Sequence, residues 1–294
     1  MIHKPLSVIA LLATLILSGT ISAAPTDLAL RTKVISVVVL AGQDVQLARV
    51  GVMVFGNKRA VVPAPDEALQ TLIFDAVKLQ IEQEGRAEVR RVALKPDEMR
   101  RMADKAYAGI TFFGPSIRDL AVDLAPLRKE CACDALLVVA ESKGLTDPNS
   151  NQIFKGLSWI ASSSLTGETV NRSAAAAFLL IYLVDAQTGE VVGTQTNAAD
   201  TWGLPVPVPL PPENWPLEMT SISVEQWSTF LQAQSTGVNA TLRRPLYRLG
   251  LKPSCALHFF RIENPVSRGN PRQNPTTPPS PPPLLEGADP AKCK

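Results

Sequence analysis

Two carboxylates hold the positions from which acid–base chemistry could be run. Glu141 follows the apolar run 135–140 and Asp185 follows the apolar run 174–184, so both end strong strands and could converge at the edge of one sheet. Paired carboxylates, one protonated and one ionised, hydrolyse glycosidic bonds. Solvated turn residues account for the same two positions. Histidine offers little more: after residue 3 the chain contains only His258, set in Leu257-His258-Phe259-Phe260. A serine triad needs a histidine base with a nucleophile and an orienting acid, and no Gly-x-Ser-x-Gly elbow accompanies this one. His258 therefore reads as a packing residue.

The four cysteines, Cys131, Cys133, Cys255 and Cys293, are disulfide candidates. Metal binding finds no support in Cys131-Ala132-Cys133, because no second Cys or His pair stands at ligand spacing. One intervening residue places Cys131 and Cys133 poorly for bridging each other. The expectation is that one of them pairs with Cys255, closing about 120 residues and contributing about 4 to 5 kcal/mol in the chain-entropy model.

Three further patterns imitate sites. Gly51 and Gly56 have phosphate-loop spacing, but Asn57 stands where the lysine must reach the phosphates. Asp147, Asn149 and Asn151 match the first oxygen ligands of a calcium loop. Gln152 replaces its glycine, and Ser158 stands where a bidentate Glu belongs. Neither a metal nor a cofactor is expected. Trp159, Trp202 and Trp215 could line a groove for peptide or sugar, although packing of the proline-rich segment on the core explains them as well.

These residues need a scaffold, and the periodicity predicts one. The β-branched run 34–40, the Gly42-Gln43-Asp44 break and the run 50–55 read as a hairpin. Leu69, Leu72, Ile73, Ala76 and Val77 recur at helical spacing behind Asp66-Glu67, predicting a helix that stops at Gly85. A short strand over 88–94 and a polar helix from Pro96 follow, the latter broken over 109–114, with another helix over 116–129. The run 135–140 predicts a strand covered on both faces, and 143–152 predicts a loop. The runs 174–184 and 190–195 flank Asp185-Ala186-Gln187-Thr188-Gly189, a hairpin turn with Gly189 left-handed. A proline-rich strap spans 205–216. Ser223 caps a last helix carrying Val224, Trp227, Phe230, Leu231 and Val238, which Pro245 should kink or end. The fold class expected is α/β or α+β, a single mixed β-sheet flanked by helices.

Residues 1–24 read as a secretory signal peptide: Lys4, an apolar core over 6–17, then Ile21-Ser22-Ala23-Ala24. That core is shorter than the roughly 20 residues a spanning helix needs. Cleavage after Ala23 and cleavage after Ala24 both remain open. No cysteine lies near the junction, so no lipid anchor and no stable membrane span is expected after cleavage. The protein is expected to be periplasmic or secreted, with a single domain over 25–262 and a disordered Pro-rich tail over 263–294. A formal net charge of +2, without a clustered basic face, argues against nucleic acid as a partner.

Residues 50–57, the helix behind them, the strand 135–140 and the segment 184–192 resemble uncharacterised exported proteins of proteobacteria. More distantly, the stretch from Val34 to Gln195 is similar to the α/β domain of periplasmic envelope-assembly lipoproteins, such as the curli-secretion subunit and activators of penicillin-binding proteins. The resemblance implies an α/β domain that binds a protein or another envelope component, and it brings no catalytic residues across. The lipoprotein cysteine of those factors is absent. The expected function is thus non-enzymatic partner or ligand binding in the cell envelope, with an extracytoplasmic hydrolase built on Glu141 and Asp185, acting on envelope polysaccharide, as the alternative.

Overall fold

A computed structural model of the chain describes residues 27–51, 57–83, 85–108, 110–111, 114–115, 117–145, 152–163, 169–196 and 207–251. All of these lie within residues 1–252, one of two units into which the chain divides. The signal segment, the 50–55 strand beyond Gly51, the calcium-like Asp147, Asn149 and Asn151, Trp202, Cys255, His258, Cys293 and the Pro-rich tail fall outside the described residues.

After a short helix α1 (Asp27–Arg31), the β-branched run forms β1 (Val34–Val39), followed by β2 (Asp44–Val50) and β3 (Lys58–Pro63). Helix α2 (Ala68–Glu82) buries Leu69, Ile73, Ala76 and Val77 of the predicted stripe and Ile81 besides, while Leu72 is half-buried. Strand β4 (Glu88–Arg91) and helix α3 (Pro96–Ala108) come next, then the small pair β5 (Ile110–Thr111) and β6 (Gly114–Pro115). A 3-10 turn, Arg118–Leu120, leads into α4 (Ala121–Glu130), and β7 (Ala135–Glu141) is buried through its first six residues. A second small pair, β8 (Lys143–Gly144) and β9 (Phe154–Lys155), precedes β10 (Leu157–Ser163), β11 (Val170–Ala177), β12 (Leu179–Asp185) and β13 (Val191–Thr196). Strand β14 (Val208–Leu210) lies in the proline-rich strap, and α5 (Val224–Arg248) ends the described fold.

The strands make two five-stranded sheets, not one. The first has the order β13-β12-β7-β1-β4, with β1 parallel to β4 and β7, and β12 antiparallel to β7 and β13. The second runs β14-β11-β10-β2-β3. Expecting one sheet fails because three neighbouring strands of the first sheet each continue into a neighbouring strand of the second. β1 passes into β2 through Gly42, at φ 84°; β7 passes into β10 through residues 142–156; and β11 passes into β12 at Phe178. The seam between the sheets is closed by backbone bonds from Ser142 to Phe178, from Gly156 to Ser142 and from Phe178 to Gly156, each 2.9 Å.

Two strand expectations are corrected for the same reason. The run 34–40 does not form the expected hairpin among the described residues: β1 pairs with β4 and β7, and a strand, β2, begins at Asp44, where the sequence suggests a break, and pairs antiparallel with β3 and parallel with β10. The run 174–184 is two strands in two sheets. Its composition follows the division. The alanines of β11 let α5 come close enough for Gln234 Nε2 to donate to Ala176 O at 3.1 Å, whereas the larger residues of β12 fill the first sheet.

One core joins both sheets to α2 and α5, including Val37, Leu137 and Ile181 from the first sheet and Val45 and Leu47 from the second. Trp159 stacks on Phe230 at 5.2 Å and meets Trp215 edge-on at 5.9 Å, so these tryptophans pack the core and line no groove. A separate core on the other face of the first sheet joins Val38, Val138 and Tyr182 to Met102 and Ala106 of α3 and Leu124 of α4. The first sheet is thereby covered on both faces. Helix α5 opens on a capping box between Ser223 and Gln226 and runs through Pro245 to Arg248. The proline stands one turn from the end, where a missing N–H costs a single helical bond. Buried Leu246, Leu249 and Leu251 hold that turn in place.

Candidate functional site

The register of β7 against β12 decides the fate of the two carboxylates. Leu179 faces Glu141 and Asp185 faces Ala135, so the acids stand at opposite ends of the strand pair, six residues apart along it. At about 3.4 Å per residue that is roughly 20 Å. Glycosidase carboxylates stand about 5 to 10 Å apart. The expected convergence at one edge is not found, because antiparallel pairing of two strands that each end in an acid sends the acids to opposite ends.

Each carboxylate has its own structural task. Glu141 lies in the seam, its side chain 15% exposed, with Oε2 3.3 Å from Lys155 Nζ and Oε1 accepting from the Gly42 N–H at 3.5 Å. Burial raises its pKa, and Lys155 opposes that shift. Lys155 Nζ also sits 4.3 Å from the centre of the Tyr107 ring, a cation–π contact from the end of α3. Gly156, at φ 56°, makes room for the carboxylate: a Cβ there would lie 2.6 Å from the Glu141 carboxyl carbon.

Asp185 instead accepts from the backbone N–H groups of Gln187 at 2.8 Å and Thr188 at 2.9 Å, and it pairs with Arg31 at 3.1 Å. The N–H donated by Thr188, with that of Gln187 and the charge of Arg31, lowers its pKa despite burial. This is an Asx turn holding the hairpin, and Gly189 is left-handed at φ 79° as the sequence predicts.

The cysteine expectation also changes. Cys131 bonds Cys133, at an S–S distance of 2.07 Å and a Cα–Cα distance of 5.2 Å. The single intervening residue, Ala132, takes φ 44°, which folds the chain back enough to bring the two Cα atoms within disulfide range. Cys255 is not the partner of either. The loop ties the end of α4 to Asp134, whose Oδ2 accepts from the N–H groups of Lys33 at 2.8 Å and Val34 at 2.9 Å. Those two donors lower the Asp134 pKa.

The other imitations resolve locally. The Gly51 N–H donates to Asn57 Oδ1 at 3.0 Å, and the residues between them lie outside those described. Ser158, the last position of the calcium-like pattern, is buried in β10 and its hydroxyl donates to Lys155 O. Among the described residues no group of three or more His, Cys, Asp or Glu could hold a metal ion, and no helix is long and apolar enough to cross a membrane.

A concave site does lie beside the Asp185 turn. A groove of about 400 Å³ runs between the 118–130 segment and the β12–β13 hairpin, its apolar part formed by Ile117, Leu124, Val184 and Val191. Arg118 and Arg128 line it as well. Arg128 is fixed by donating to Ala186 O at 3.1 Å and Gln187 O at 2.9 Å, over Gly189, where a Cβ would collide with the guanidinium. Neither arginine stands out in the sequence, since nothing local announces that α4 will cross the hairpin. The glycine in the turn was the one available signal.

No family model matches this chain, and no curated protein matches it. Solved structures similar to it include a DUF330 protein from Xanthomonas campestris, 10% identical, with a TM-score of 0.32, covering 75% of this chain and 81% of that one. The PelC dodecamer from Paraburkholderia phytofirmans is 12% identical, with a TM-score of 0.28, over 74% of this chain and 86% of that one. A lipoprotein, GNA1162, from Neisseria meningitidis is 14% identical, with a TM-score of 0.23, over 56% of this chain and 79% of that one.

Proposed function

We propose that this is an exported, non-enzymatic protein of the cell envelope that binds a partner through the groove beside the β12–β13 hairpin. The carrying observation is the contrast between that groove and the carboxylates. The groove is apolar at its base and cationic at its wall, a combination suited to holding a ligand. Glu141 and Asp185 stand at opposite ends of a strand pair, bound to Lys155 and to a backbone turn respectively. Export rests on the charged, apolar and small-residue sequence of residues 1–24, and the tail over 263–294 serves as a linker or contact arm.

Two measurements test this reading. Purified protein assayed on generic ester, glycoside and phosphate substrates should give no turnover that Glu141→Gln abolishes; such turnover overturns the proposal. Affinity capture from envelope extract should recover a specific component with the wild type and lose it with Arg118→Glu. Capture that recovers nothing specific, or that is indifferent to the substitution, removes the groove from the account.

A further inference from the structure

We infer that β13 and the adjoining groove form a strand-addition site for an extended peptide carrying an acidic side chain. This rests on the partner-binding reading above and names the class of partner.

The two sheets have four outer strands, and three of them are blunted. β4 is four residues long and carries Glu88, Arg90 and Arg91; β3 carries Lys58, Arg59 and Pro63; β14 is three residues long with Pro209 at its centre. Charge, proline and shortness are the usual protections of a free edge. β13, Val191-Val192-Gly193-Thr194-Gln195-Thr196, has none of them. Among the described residues its only strand partner is β12. Its outer row of N–H and C=O groups is therefore chemically complementary to another extended backbone.

The pleat relates this edge to the groove. Thr194 lies opposite Tyr182, and Tyr182 belongs to the core shared with α3 and α4. Thr194 and Val191 both line the groove. An added strand would turn alternate side chains toward the same side. The side chain entering there meets apolar residues and two arginines, and among the described residues that line the groove none is a carboxylate. The two acceptors of Arg128 named above are neutral carbonyls, and among the described residues no ion pair to it is found. An acidic side chain flanked by β-forming residues fits this wall; a lysine does not.

The test uses the full chain and a labelled hexapeptide in which valine and threonine alternate around one glutamate, followed by fluorescence anisotropy. Saturable binding is expected. Replacing the glutamate by lysine, or using Arg118→Glu protein, should weaken it by about tenfold. N-methylation of alternate peptide amides should abolish it by removing the backbone donors, and this control needs no protein variant. Thr194→Pro, checked for folding by circular dichroism, should also abolish it. No binding, equal affinity for the glutamate and lysine peptides, or retained binding after N-methylation at every alternate register overturns the inference. So does a dimer in sedimentation that Thr194→Pro dissociates, since it assigns the edge to a second copy. If the peptide fails while Arg118→Glu still abolishes envelope capture, strand addition falls and partner binding stands. If wild-type capture also fails, both fall.

Discussion

The two ends of the β7–β12 pair each hold a carboxylate, and the protein treats them in opposite ways. At the seam, Glu141 is taken from water and given one lysine, itself 44% exposed, and one long N–H contact, and its pKa rises. At the hairpin, Asp185 has little exposed surface but lies less deeply in the protein, and it receives two short backbone N–H bonds and an arginine, and its pKa falls. Burial alone does not set the ionisation of a side chain. Its depth together with the number and quality of the donors facing it does. The hairpin end is accordingly the better anchored, and it is the end beside the groove.

Four substitutions sharpen or break that contrast. Gly156→Ala should be the most damaging, by about 3 kcal/mol in urea unfolding, because it combines a left-handed backbone with a collision against the Glu141 carboxylate. A tolerated alanine would mean that the seam does not hold that carboxylate in place. Asp185→Ala should cost about 2 kcal/mol by leaving the N–H groups of Gln187 and Thr188 without their acceptor. The depressed pKa makes the Asp185 contribution complete above the unfolded value of about 3.9 and lost as pH falls through the folded value. The variant should therefore lose less stability than the wild type during acid titration.

Lys155→Met should cost about 1 kcal/mol at neutral pH, a modest figure because the lysine is partly solvated. That loss should shrink on acidification as Glu141 takes up a proton. Glu141→Gln is the mildest, within about 0.5 kcal/mol at neutral pH. Its sign should change with pH. A raised folded pKa gives the wild type a contribution that is full below the unfolded value of about 4.3 and lost as pH rises through the folded one. The glutamine variant should thus compare better with the wild type at pH 8 than at pH 4 in the same assay. The opposite trend would show that Lys155 outweighs burial.

Much of the local structure was legible. The stripe of α2, the enclosure of β7, the Ser223 cap and the Asp185–Gly189 turn follow from periodicity, β-branching, capping chemistry and a left-handed glycine. The seam was not legible, since Gly42 reads as a hairpin turn whether the next strand folds back or carries on into another sheet. Phe178 sits inside an apolar run with only a change from alanine to larger residues to mark it. The Cys131–Cys133 bond was hidden for a related reason: it depends on Ala132 adopting a backbone conformation that its residue type disfavours.

By itself the sequence determined α2 to α5, the strands β1, β4 and β7 and the β12–β13 hairpin, because those depend on neighbours within a turn or two of chain; β3 and β10 it did not announce. Only the tertiary structure decided that the sheets are two, that Glu141 and Asp185 stand at opposite ends, and that two arginines share a groove beside the outer strand β13. Those outcomes depend on strand order and register, which are set by contacts between residues far apart in the chain.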